Sequence, residues 1–224
     1  RAMLREGLVY YNKGEDDKAL QLFKAIAKDY PKTNEASQAI SSAKLIYVDK
    51  GQVSQYAAWA KSLGYVEVSN LELEGASYDA AERQYLQGNN KEAIEAFDRY
   101  LKEFPSGMRR TNALFYLAQL HFANGKRAQA LNYYEQVYNS GASEFVEQSL
   151  TRMCQILLDA GSYLKAKPYL EALEKTATIA QNKTYAQSNL MRVCYNEKLY
   201  DNAIDYAGKV LDEKSIDTRI KNDA

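Results

Sequence analysis

Tyr85-Leu86-Gln87-Gly88-Asn89-Asn90-Lys91-Glu92-Ala93-Ile94-Glu95-Ala96-Phe97-Asp98-Arg99-Tyr100-Leu101-Lys102-Glu103-Phe104-Pro105 is the stretch that decides the fold. After the turn residue Gly88, the apolar positions Ala93, Ile94, Phe97, Tyr100, Leu101 and Phe104 recur at spacings of three and four, which is one face of an α-helix. Pro105 closes it, because proline has no amide hydrogen and disfavours helical geometry in the residue before it. The same chemistry follows Gly14, with Ala19, Leu20, Phe23, Ile26, Ala27 and Tyr30 ending at Pro31. Turn positions recur along the chain at Gly14, Gly51, Gly88, Gly125, Gly161 and Lys198, each 37 residues from the last except for one step of 36. A fixed period in this range signals stacked structural repeats, and the 224 residues have room for about six.

Each turn also has a helical pattern before it, such as Asn112 to Asn124, with Leu114, Leu117, Ala118 and His121 on one side, and Glu144 to Asp159. The unit is therefore helix, glycine turn, helix and short polar link. The second helix opens on acidic residues in the first unit (Glu15, Asp16, Asp17), which suit the positive end of a helix. Twelve residues before the alanine of the second helix stand Gly7, Ala81, Ala118 and Cys154, a small-residue register that predicts close approach of paired helices. Met191 takes this place in the sixth unit, where looser packing is expected. The second unit departs most, with Tyr56 where alanine is expected and Trp59 after it, and Pro168 should kink the second helix of the fifth.

These residues resemble the tetratricopeptide repeat. Gly7, Tyr10, Ala19, Phe23 and Pro31 fill its pattern in the first unit, and Ala81, Ala93, Phe97 and Pro105 in the third. The resemblance implies an all-α, right-handed superhelix (solenoid) of about six helical hairpins that serves as a non-catalytic scaffold for a protein or peptide partner. The run from Tyr85 to Gly107 is similar to repeats of bacterial envelope proteins of the outer-membrane assembly lipoprotein and Tol–Pal-associated types. That similarity implies a periplasmic or outer-membrane-associated protein, fitting a membrane-associated complex. A glycan- or nutrient-uptake component of the outer membrane is the alternative, and an all-α enzyme ranks below it.

Composition narrows the partners. The 29 basic and 29 acidic residues balance with no long run of either sign, which argues against nucleic-acid binding and against a polybasic membrane anchor. No stretch approaches the roughly 20 apolar residues of a membrane span, and no secretory signal pattern opens the chain. The sequence reads as a fragment of something longer. A break at Gly64 to Val68, followed by Ser69-x-x-Glu72 as a capping box, suggests a division into residues 1–68 (first two repeats) and 69–224. From Ser215 a seventh helix pair is expected to begin.

Reaction chemistry is thinly represented, and no catalytic residue, metal ligand or cofactor is expected. His121 is the only histidine and falls at a helix–helix register, so it reads as a packed side chain. Cys154 and Cys194 read as core thiols, although their neighbouring units would allow approach. Tyrosine is abundant, at 19 of 224 residues. The family's geometry places Tyr11, Tyr78, Tyr85, Phe115, Gln119, Phe122, Gln155, Tyr185, Arg192 and Tyr195 along a concave groove. That mixture suits a protein-binding surface, and removing Tyr78 and Phe115 together should abolish partner capture without lowering stability. The competing reading has neighbouring units bury most of those rings. The carboxylate-clamp set of the family is incomplete here, with Asn112 and Arg192 alone suiting it.

Overall fold

The computed structural model describes residues 1–212, all of whose regular elements are α-helices paired across the predicted turns. The fold class is all-α, of the helical-repeat solenoid kind. The hairpins are α1 (Ala2–Asn12) with α2 (Asp16–Asp29), α3 (Asn34–Asp49) with α4 (Val53–Ser62), and α5 (Asn70–Leu86) with α6 (Asn90–Glu103). They continue with α7 (Arg110–Ala123) and α8 (Arg127–Asn139), α9 (Val146–Asp159) and α10 (Tyr163–Thr176), and α11 (Ala180–Asn196) and α12 (Tyr200–Asp212). The expected seventh pair from Ser215 lies outside the described residues.

One backbone device closes every hairpin. Gly14, Gly51, Gly88, Gly125 and Gly161 have φ between 66° and 76°, and Lys198 adopts the same left-handed conformation at 63°. In the first turn the Gly14 amide donates to the Tyr11 carbonyl at 2.9 Å and the Glu15 amide donates to the Tyr10 carbonyl at 2.9 Å. This nested pair satisfies carbonyls that the end of a helix leaves without partners. The same two bonds recur at Gly51/Gln52, Gly88/Asn89, Gly125/Lys126, Gly161/Ser162 and Lys198/Leu199. Glycine is favoured because a Cβ is strained at positive φ.

The described residues divide into two compact units, 1–110 and 111–212. The interruption at Gly64 to Val68 lies inside the first unit. Its Tyr65, Val66 and Val68 pack on that unit's core, and the Tyr65 hydroxyl donates to the Ala27 carbonyl. The break therefore works as part of that unit's core. Ser69 does occupy the N-cap of α5, but its side chain makes no capping bond, and Glu72 pairs with Lys44 of α3.

In the first unit α2 packs on α3, and α3 also meets α5. Phe23, Ile26, Ala39, Ala43 and Ile46 form the interior. Gly7 shows why its register is small, since a Cβ there would stand 2.6 Å from the ring of Phe23. At the unusual second repeat, Tyr56 is buried against Tyr47 and Trp59, ring centroids 6.0–6.1 Å apart. Aromatic packing there takes the place of the close alanine contact. In the second unit α8 packs on α9 and α10 on α11, around Leu150, Cys154, Leu170, Leu173, Ala186 and Leu190. Helix α10 runs on through Pro168.

Because Lys198 holds a conformation that costs an L-residue about 1 kcal/mol or more, Lys198→Gly should raise stability by about 0.5–1 kcal/mol. Gly125→Ala should lower it by about 1 kcal/mol or more, since its φ is 73°. Urea unfolding of the two variants measures both signs.

Candidate functional site

The first helix of each repeat carries the residues expected to line a binding face, and burial sorts them. In the first unit Tyr78 is 2% exposed. Its ring lies 5.9 Å from Phe97 and 5.6 Å from Tyr100, and the Arg109 guanidinium covers it at 4.9 Å. Tyr78 is a core residue, contrary to the groove expectation, because the link after α6 brings Arg109 back over it. Arg109 is held by Asp79 at 2.5 Å, while its amide and the Tyr100 hydroxyl both donate to buried Glu74. Burial and the bond to Glu74 push the Tyr100 hydroxyl pKa well up. Gly107 completes this knot, since a Cβ would fall 2.5 Å from the Tyr100 hydroxyl oxygen. Tyr11 and Tyr85 remain half-buried at the face. Burial, then Asp49 and Asp16, raise the Tyr11 hydroxyl pKa.

In the second unit Phe115 is 4% exposed, stacked on Phe145 at 4.4 Å and edge-on to Tyr134 at 6.3 Å. It too is core, because Phe145 from the link before α9 covers it. Gln119, Phe122, Gln155 and Tyr185 are partly exposed, and Arg192 and Tyr195 are exposed. Phe122 carries two guanidinium groups, Arg127 at 3.7 Å and Arg152 at 4.8 Å from its ring centroid. Arg152 Nη1 donates to Gln155 Oε1 at 2.8 Å. The Tyr185 hydroxyl pKa is pushed up to about 12, by burial first and then by Cys154 and Asp159, with Arg152 opposing. Phe122, Arg152, Gln155, Asp159 and Tyr185 thus share one neighbourhood. Arg127 and Arg152 were not singled out in the sequence, because neither recurs at the repeat period.

Farther along the same unit, α11 and α12 leave a hollow of about 630 Å³ lined by Met191, Tyr195, Tyr200, Ala203, Ile204 and Ala207. Tyr195 and Ile204 are 65% and 67% exposed, and Tyr195 meets Tyr200 edge-on at 5.8 Å. Ala207 occupies the register filled by Phe23, Phe97 and Tyr134 in the first, third and fourth repeats, so no ring stands at that position here. Met191, at the small-residue register, lies on the lining of this hollow.

Glu147 holds this face in place. Its carboxylate accepts from the Thr178 amide (2.9 Å) and hydroxyl (2.6 Å), the Ile179 amide (3.0 Å) and Asn182 Nδ2 (2.8 Å), capping the start of α11 from α9. Burial pushes its pKa up, but the bonds from Thr178, Asn182 and Ile179 outweigh that and hold it at about 2. The residues with reactive potential are packed away. His121 is buried and lies parallel to Tyr133 at 5.4 Å. Cys154 and Cys194 are free, buried thiols, with Cys154 pushed up to about 12 by burial, far from a nucleophilic thiolate. Among the described residues no group of His, Cys, Asp and Glu could hold a metal ion, and no helix is long and apolar enough to cross a membrane.

Two tetratricopeptide repeat profiles match the chain, one over residues 1–33 and one over residues 78–145. These two stretches are tetratricopeptide repeats. Comparison with curated protein sequences gives no match. Solved structures similar to this repeat protein include Pseudomonas aeruginosa PilF, 14% identical over 99% of this chain and 94% of that one, with a TM-score of 0.49. YrrB, described as a TPR protein with an unusual peptide-binding site, is 15% identical over 88% and 94%, with a TM-score of 0.48. PilW, described as a widely conserved type IV pilus biogenesis factor, is 12% identical over 99% and 96%, with a TM-score of 0.47.

Tyr78→Ala should cost about 3–5 kcal/mol of stability in chemical denaturation, as for other large core rings. The pH dependence of Glu147 follows from its depressed pKa. The stabilisation it gives is complete above its ordinary value of 4.5 and is lost as pH falls through about 2. Discounted for its partial exposure, Glu147→Gln should lower stability by about 1–2 kcal/mol at neutral pH. The gap to the parent should close between those pH values, as read from denaturation at a series of pH.

Proposed function

We propose that this protein is a protein–protein interaction scaffold, the reading that its tetratricopeptide repeats support. On this reading it engages an extended peptide or a helix of a partner protein along the first-helix faces of the second unit, and it does so in the bacterial cell envelope. The single observation that carries the binding reading is the hollow between α11 and α12. It is a cavity of about 630 Å³ rimmed by the exposed rings of Tyr195 and Tyr200, where the first, third and fourth repeats have a ring in place of Ala207. Exposed aromatic and aliphatic groups around a concavity are the usual anchors of a protein interface. A large side chain of the partner would complete the packing that Ala207 leaves open.

The half-buried Gln119, Phe122, Gln155 and Tyr185 extend this surface along α7, α9 and α11 with amides and rings. In the first unit the partly exposed Tyr11 and Tyr85 offer a second set of rings. The envelope reading rests on the similarity of residues 85–107 to repeats of envelope assembly proteins.

Affinity capture with the full chain from its native cells, after fractionation, tests both parts. Ile204→Asp with Tyr195→Ala should remove the captured partner while the melting transition moves by no more than about 0.5 kcal/mol in stability, as expected of exposed positions. Unchanged capture would exclude the hollow, and recovery of the native protein with the cytosol would exclude the envelope.

A further inference from the structure

We infer that the second unit holds a site for an acidic side chain of the bound segment, with the guanidinium groups of Arg127 and Arg152 as its donors and the Phe122 ring as its floor. This rests on the peptide-binding reading above and gives that peptide a chemistry. Three successive helices build the site. Phe122 comes from the end of α7, Arg127 from the start of α8 and Arg152 from the middle of α9.

Two cations share one ring here, with guanidinium carbons 3.7 Å and 4.8 Å from its centroid. The ring's negative face attracts each of them, but it does not cancel their mutual repulsion. Their orientation is fixed. Arg127 Nη1 donates to the Phe122 carbonyl at 3.3 Å, and Arg152 Nη1 donates to Gln155 Oε1 at 2.8 Å. A guanidinium carries five N–H donors in a planar fork, so most of each fork stays available for a carboxylate. Among the described residues neither arginine forms an ion pair, whereas Arg109 and Arg83 in the first unit each do.

The carboxylates nearby are otherwise engaged or outnumbered. Glu135 accepts the Tyr169 hydroxyl at 3.1 Å, and Glu147 caps α11. Asp159 lies near enough to act on Tyr185. The chain as a whole is neutral, so this local excess of guanidinium is a feature of the face and not of the composition. Charge complementarity then favours a segment in which Asp or Glu stands near a large apolar residue, the latter suited to the α11–α12 hollow.

The test is selection from a phage-displayed random dodecapeptide library against the whole chain, at low and at high ionic strength. Asp and Glu should be enriched several-fold over the input at low salt, beside apolar residues, with the acidic preference weakening in high salt. Selection against R127Q/R152Q should keep the apolar preference and lose the acidic one, and the best acidic peptide should bind that variant about tenfold more weakly. Asp159→Asn, at an exposed position, should tighten the same peptide about two- to fivefold. This variant decides the matter should the double substitution fail to fold, with unchanged or weaker binding overturning the inference. Selected peptides without acidic enrichment, or equal binding by R127Q/R152Q, would overturn the acidic site and leave the peptide groove standing. Selection of no sequence by the parent chain would overturn both.

Discussion

A left-handed residue with two nested amide–carbonyl bonds sits between the helices of every hairpin, and the remaining packing depends on it. It ends the first helix, satisfies its last carbonyls and reverses the chain within a few residues. Since the geometry is the same each time, the two helices meet in the same phase each time. The small register at Gly7, Ala81, Ala118 and Cys154 then faces the second helix at close range. Gly7 under the ring of Phe23 shows how little room that phase leaves. The conformation matters more than the residue type, because Lys198 adopts it with a full side chain.

With the hairpin geometry fixed, differences among repeats are absorbed locally. The second repeat replaces its alanine with Tyr56 and fills the changed space with the rings of Tyr47 and Trp59. The link that follows is long, but Tyr65, Val66 and Val68 fold it back on the core, burying apolar surface that a free linker would leave in water. After α6 another link is pinned by a buried polar knot, in which Glu74 accepts from Tyr100 and the Arg109 amide. A carboxylate in such a place is tolerable because each bond to it offsets part of its desolvation.

What the sequence makes legible is whatever repeats. The glycine interval located all six turns, and the three-and-four spacing located the helices. The alanine and small-residue registers identified the contact between them. Features supplied by links are not periodic, and there the reading from sequence loses its hold. Tyr78 and Phe115 stand at registers from which a groove is expected, yet Arg109 and Phe145, both from links, cover them. Ser69 stands at a helix start, but Glu72 is drawn to Lys44 on another helix and the expected box does not form. The pairing of Arg127 with Arg152 over Phe122 joins three helices at unrelated registers. Only the tertiary arrangement brings them together.

The carboxylate of Glu147 satisfies the beginning of a helix that starts more than thirty positions later in the chain. An opening of α9 would strip α11 of its cap, and the loss of α11 would strand a desolvated anion. The fifth and sixth repeats should therefore exchange their amide protons with deuterium as a single cooperative block, so that this part of the array gives way together and not one hairpin at a time.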